Sequence, residues 1–402
     1  MFTTARSAVP PAIFLLYFAA GILQMGCTTD APPPTPIPRT MAQVPASKLA
    51  FRFDPDVPAP PDPLIDDDPS KKSEQVQKDF DTRRKDDALV RTVLSPDEKR
   101  VLALYATGDS NTGEFRIDLY TSEGAFLRNI TPPDLAGAFP QTASWSPDGT
   151  GLIFAGRKSV TPKPSPTPND VVPAPGPGIE PTVSATVAPV FAAIPVFETE
   201  QIYIADQDGF NLRPLTTREG LIFFNFEWAP DGKSIAALAC KEAEWDEHEK
   251  HNLTPAGRPR LIRLDSTERL LDDELSSVLP VWSPDGTKVA TAFGTSVRIY
   301  DAGGQGTTQA AVDLTDKLME ASASFDKKLE TSDKSAPPKD SGSTTPVSFN
   351  PIVKLDWTTD QEIHLKTAYV RIYRTEPVVT FQRWHLLNLS PQAEVLTPRK
   401  AG

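Results

Sequence analysis

Cysteine is scarce: Cys27 and Cys240 are the only two in 402 residues, so no dense disulfide framework can hold this chain together. Positive charge is also in short supply, with 41 Lys and Arg against 53 Asp and Glu and a net charge of −12. That balance disfavours a nucleic-acid binder, which needs a basic surface for phosphates, and electrostatic attachment to an anionic membrane face. Long apolar runs are missing except for Ala12 to Leu23, "AIFLLYFAAGIL", which is too short to span a bilayer comfortably. No G-x-S-x-G nucleophile elbow occurs. "DAGGQGTT" (Asp301 to Thr308) lacks the Gly-Lys-Ser/Thr ending of a phosphate loop and reads as a turn.

What is abundant is proline, 42 residues of it, so much of the chain must be linker rather than core. Arg6 followed by the apolar run fits a secretory signal over residues 1–26. The run ends in "LQMGC", and Gly26-Cys27 resembles the lipobox of bacterial lipoproteins, with Leu23 one place earlier than the usual apolar position. The resemblance implies that Cys27 is lipidated and becomes the N-terminus, and two acyl chains anchor stably where one does not. An ordinary signal peptide or a lone anchor helix is the alternative. "TTDAPPPTPIPRT" then opens a tether over residues 27–86, Pro-rich and charged, expected to be largely disordered. Within it "KLAFRF" alternates like a strand, and "KKSEQVQKDFDTRRKDD" has a thin apolar face that a surface helix could use.

From Leu89 onward short apolar runs recur between Gly, Pro, Asp and Asn, the pattern of an all-β array. One phrase repeats: "VLSPDEKRVLALY", "SWSPDGTGLIFAG", "EWAPDGKSIAALA", "VWSPDGTKVATAF" and, more loosely, "LDWTTDQEIHL". Each letter has a folding reason. Trp145, Trp228, Trp282 and Trp357 offer a flat surface to a neighbouring unit. Proline presets φ, and Asp97, Asp148, Asp231, Asp285 and Asp360 can accept turn N–H groups. Gly149, Gly232 and Gly286 can take the positive φ of a tight hairpin. Five copies of one carboxylate at one local position mark a scaffold, not a catalytic group.

Self-similarity at this spacing is the mark of a repeat fold. With "IYIADQDGFNLRPLT" and "SVRIYDAGG", the phrase resembles the PD-type β-propeller repeats of the TolB family, over about Leu89 to Pro398. The expected fold is therefore all-β, a single propeller of four-stranded antiparallel blades over residues 87–400. Five units are recognisable, giving five or six blades, and "KLAFRF" is expected to serve a sixth or the ring closure. Insertions are expected at 158–196, Pro-rich, and at 310–345. The second opens with a helix, in which Leu314, Leu318, Ala321, Phe325 and Leu329 share one face. The α/β domain that precedes the TolB propeller is expected to have no counterpart here, where the Pro-rich tether stands. The stretch after the last strand is expected to leave no room for the hydrolase domain that prolyl oligopeptidase relatives carry.

Chemistry is sparse outside the repeats. "EWDEHEKHN" places His248 and His251 near Asp246 and Glu249, a weak metal candidate without H-E-x-x-H spacing, and more simply a charged loop. "GDSNTGE" lacks the distal glutamate of a calcium loop. His364 and His385 lie in strands, and Cys240 ends an apolar strand as a small hydrophobe. No catalytic residue, metal or cofactor is expected. The combined expectation is a lipid-anchored, non-enzymatic envelope protein whose propeller binds a protein or peptide. Thr28 after the cysteine points, by the enterobacterial sorting rule, to the outer membrane facing the periplasm. An enzyme or carbohydrate-binding propeller with a site in the funnel mouth is the alternative.

Overall fold

The computed structural model describes residues 40–61, 72–107, 113–158, 197–304, 309–332, 347–372 and 379–391. Cys27 and the signal segment lie outside them, as do nearly all of the first insertion and the end of the second. Among the described residues no helix is long and apolar enough to cross a membrane.

Five antiparallel sheets follow one another along the chain. Blade I is Asp87–Leu94, Arg100–Thr107, Arg116–Thr121 and Phe126–Asn129. Blade II has an inner strand in two pieces, Leu135–Ala138 and Ser144–Trp145, then Gly151–Lys158, Gln201–Asp206 and Arg213–Pro214. Blade III is Leu221–Trp228, Ser234–Lys241, Arg258–Arg263 and Glu268–Leu270. Blade IV is Val281–Trp282, Lys288–Phe293, Ser296–Asp301 and Gln309–Asp313. Blade V takes Ile352–Thr359, Glu362–Ile372 and Val379–Ser390 from the end of the chain and Ala50–Asp54 from its beginning.

That last pairing answers the question of "KLAFRF". Its core, Ala50–Asp54, runs antiparallel to Leu386 through Ser390 as the outer strand of blade V, so the first strand completes the last blade. There are five blades, not six, among the described residues.

Side chains alternate across each middle strand, and every interior junction buries both faces. Leu102, Leu104 and Ile117 of blade I meet Trp145, Leu152 and Phe154 of blade II. Ile153 and Ile202 meet Phe223, Trp228 and Ile235. Ala236 and Leu261 meet Trp282, Val289 and Tyr300, and Ala290 and Ile299 meet Trp357, Ile363 and Leu387. Blade I's remaining face, with Val101, Ala103, Tyr105 and Tyr120, is covered instead by helix α1, Glu74–Arg83, through Val76 and Phe80.

The expected extent of the tether is corrected, because Ala50–Asp54 is a blade strand and helix α1, Glu74–Arg83, packs on blade I. Val76 and Phe80 alone form its apolar stripe, too few for the sequence pattern to insist on a helix, yet both are buried. Ser73 caps it, its hydroxyl accepting from the Val76 N–H at 3.5 Å. Arg84 follows, stacked over Tyr105 and Phe80 at 4.0 and 4.4 Å and ion-paired with the fully buried Asp118. The second insertion is shorter than expected too. Gln309–Asp313 is the fourth strand of blade IV, and helix α3, Thr315–Ser332, follows it. Leu318 and Ala321 of α3 are buried, as is Leu314 just before it.

The repeated turn works as a hydrogen-bonded clasp. The Oγ–H of Ser146 donates to Asp148 at 2.6 Å, and the same oxygen accepts from the Gly151 N–H at 3.0 Å. Ser95–Asp97 and Ser283–Asp285 repeat this at 2.7 and 2.6 Å. Gly149, Gly232 and Gly286 have φ of 71, 67 and 68°, and in blade I Glu98 takes the same conformation at 58°. Asp231 accepts from Lys233 N–H at 2.9 Å without a serine, since Ala229 stands there. Blade V departs from the pattern. Its turn is held by Thr359, whose Oγ1 accepts from the Gln361 N–H at 3.3 Å, and no comparable bond to Asp360 is seen.

These bonds favour the ionised carboxylate, so Asp148 sits below its ordinary value of 3.8, first because of Ser146 and then Thr150. A depressed folded value means the stabilisation is present above about pH 3.8 and is lost as pH falls further. Asp148→Asn is expected to flatten the acid limb of the stability curve below pH 4 and leave it unchanged at pH 7 in slope. Urea midpoints across that range measure it, and an unaltered acid limb contradicts the clasp.

Candidate cavity at the blade mouth

In blade III the segment joining the second and third strands, residues 242–257, lies on the side opposite the repeated turn. There a cavity of about 510 Å³ opens where blades I, II and III meet. One wall is the inner strand of blade II. Phe115 and Gly137 exchange backbone hydrogen bonds at 2.9 and 2.7 Å, tying blade I to that strand. A side chain at Gly137 would meet the Phe115 ring at 2.5 Å, so the close approach requires glycine. Phe139 then turns with a left-handed φ of 58°.

Phe139 packs on Trp245 with ring centroids 5.2 Å apart, and Trp245 also meets Phe224 at 5.4 Å. Trp245 belongs to helix α2, Glu242–Lys250. Glu244 pins this helix by accepting from the Lys241 N–H at 2.9 Å and from both Arg258 guanidinium nitrogens at 2.8 and 2.9 Å. Arg258 accordingly holds the Glu244 carboxyl below its ordinary value. Glu242, Asp246 and Glu249, at i, i+4 and i+7, share a helix face and line the cavity. Glu114, Glu198 and Glu200 line it from two further segments, and Arg157 is the one basic residue in the lining among the described residues. Arg157 reaches Glu114 at 3.2 Å and Glu200 at 3.6 Å.

The two histidines of this segment do not converge. The His248 Nδ1 lies 2.6 Å from the Glu244 carbonyl oxygen, and the residue lines a separate cavity of about 330 Å³ between blades III, IV and V. His251 pairs with Glu247 at 2.8 Å. Among the described residues no group of three or more His, Cys, Asp or Glu is placed to hold a metal ion. The repeat tryptophans are built into blade junctions, and Asp97, Asp148, Asp231 and Asp285 into turn clasps. Cys240 is buried, its thiol pushed up to about 12 chiefly by burial, which makes it a poor nucleophile.

Two features escaped the sequence reading. Phe139 and Phe224 lie far from Trp245 in sequence, so nothing local announced their contact. Glu227, on the inner strand of blade III, is pushed up to about 7 by the protein crowding it and then by Asp356, although solvent still reaches it. Glu227 and Asp356 each stand one place before a repeat tryptophan, and that shared register was the available signal.

No protein-family model matches this sequence, and neither does any curated protein. Solved structures do. A TolB-type protein of Agrobacterium tumefaciens is 14% identical over 75% of each chain, with a TM-score of 0.30. The oligogalacturonate lyase of Vibrio parahaemolyticus is 9% identical over 84% of this chain and 70% of its own, at 0.37. Prolyl oligopeptidase B of Galerina marginata is 9% identical over 75% of this chain but only 36% of its own, at 0.39. Five antiparallel sheets in chain order, the last completed by the first strand, make the fold a β-propeller. Such distant likenesses reach no further than architecture, since propellers serve binders and enzymes alike.

Proposed function

We propose that this propeller is a cell-envelope lipoprotein that binds a protein or peptide partner without chemistry of its own. The observation that carries the reading is the mouth cavity, a concave site where blades I, II and III meet beside the cluster of Phe139, Trp245 and Phe224. Concave sites of several hundred Å³ are characteristic of ligand recognition. "LQMGC" and the Pro-rich stretch after it support anchoring at Cys27 and display on a tether. Outer-membrane placement facing the periplasm follows from Thr28 by the sorting rule.

In-cell crosslinking of the wild type beside Cys27→Ala tests this reading. The wild type is expected in the membrane fraction with a discrete crosslinked partner, and the variant is expected to leave the membrane. No envelope partner in intact cells, together with turnover of a substrate by the purified protein, would sink it.

A further inference from the structure

We propose that residues 40–57 form a strap that locks blade V shut and opens as a unit while the blades stay folded, with the Lys288–Asp301 pair as its controlling clamp. This goes beyond the binding reading above and does not depend on it.

The closing strand is weakly held by itself. None of the five side chains of Ala50–Asp54 is buried, and Phe51 is exposed. In blades I to III a short turn ties the outer strand to its neighbour, as between Thr121 and Phe126 in blade I. Ala50 instead pairs with Ser390, near the opposite end of the chain. No local turn keeps these two strands together, and closing so long a loop costs entropy. Retention of the strand therefore falls to its two flanks.

Both flanks are clamped by charged groups. Upstream, Met41, Val44 and Ala46 are buried. The Lys288 ammonium, in a residue only 1% exposed, donates to the Val44 carbonyl at 2.8 Å and to Asp301 at 2.7 Å. Asp301 in turn accepts from the Ala46 N–H at 3.1 Å. One ion pair thus holds a carbonyl and an N–H of the strap together. Downstream, Arg383 donates to the two Asp56 carboxylate oxygens at 2.8 and 2.7 Å, and the Val57 N–H donates to the Trp384 carbonyl at 2.9 Å.

The upstream clamp departs from the repeat. Lys288 and Asp301 are cross-strand partners where the second strand of blade IV begins and the third ends. The same register places Arg100 opposite Thr121 in blade I, Gly151 opposite Asp206 in blade II and Ser234 opposite Arg263 in blade III. Among blades I to IV, a lysine faces an aspartate there only where the strap crosses. A buried ammonium is costly unless its hydrogen bonds are met, and the strap supplies one of them through Val44. Departure of the strap breaks that bond while the Lys288–Asp301 pair stays within blade IV, so release need not unfold the blade.

Amide hydrogen exchange of the full chain, read by mass spectrometry, tests the inference. Lys288→Met is expected to speed exchange in Ala50–Asp54 by at least about tenfold, while Arg100–Thr107 of blade I and Ser234–Lys241 of blade III keep their wild-type rates. Ala46→Pro removes the N–H given to Asp301 without altering a blade residue, and the same local acceleration is expected. Should Lys288→Met fail to fold, Ala46→Pro decides. Unchanged exchange in Ala50–Asp54 overturns the inference. Faster exchange in all blades together overturns it equally, since strap and ring would then open as one cooperative unit.

Discussion

Trp282→Ala is expected to destabilise the propeller by about 3–5 kcal/mol, the cost of removing a large buried aromatic from a packed interior. Trp282 is 7% exposed and fills the junction of blades III and IV against Leu261, Leu271 and Tyr300. Its indole N–H donates to the Glu227 carbonyl at 3.3 Å, as that of Trp145 does to the Val93 carbonyl at 3.1 Å. Trp228 and Trp357 occupy the same repeat position, but their indole nitrogens are buried without a partner. The Trp→Phe series separates packing from hydrogen bonding. Trp282→Phe is expected to cost about 1 kcal/mol more than Trp228→Phe, because only the former breaks a bond and strands a carbonyl. Equal losses in urea melts would mean the indole bond contributes nothing.

Acidification from pH 6.5 to 4 is expected to cost about 3 kcal/mol of stability through one residue, His385. His385 is fully buried on blade V. Its Nδ1 accepts from the Asp56 backbone N–H at 3.1 Å, which leaves Nε2 to donate to the Thr367 hydroxyl at 3.1 Å. That geometry needs the neutral ring. Burial, and then Arg383, push His385 from 6.5 down to about 4, with Asp56 opposing. Since the folded value is depressed, the stabilisation is complete above pH 6.5 and disappears as pH falls toward 4. His385→Gln is expected to abolish the slope in that window while the turn carboxylates still act below it. Urea midpoints between pH 7 and pH 4 decide, and an unchanged slope in the variant refutes the assignment.

How much of this was legible beforehand depends on the range of the interaction involved. The turn clasps are local: Ser146, Asp148 and Gly149 satisfy one another within a few residues, so the letters alone revealed the hairpin and, by repetition, the blade. Helix α3 was legible for the same reason, through its 3.6-residue spacing. Helix α1 was not, because two buried side chains suffice when a ready-made sheet face supplies the rest of the contact. Asp360 misled for the opposite reason: the letter survives in blade V, but threonines hold that turn. His248 and His251 are three residues apart in sequence, yet the helix turns one toward a neighbouring cavity and the other toward Glu247.

The repeat, its turns and hence a propeller of four-stranded blades are readable from the residues alone, because those features are written in short-range hydrogen bonds and period-two burial. Long-range packing settles three other matters. It set the blade number, through a strand that travels from one end of the chain to pair with the other. It decided how the free face of blade I is covered. It also brought Glu114, Glu200, Phe139 and Trp245 around one cavity. These are contacts between residues tens to hundreds of positions apart, and no local pattern encodes which distant loops will meet when the blades close together.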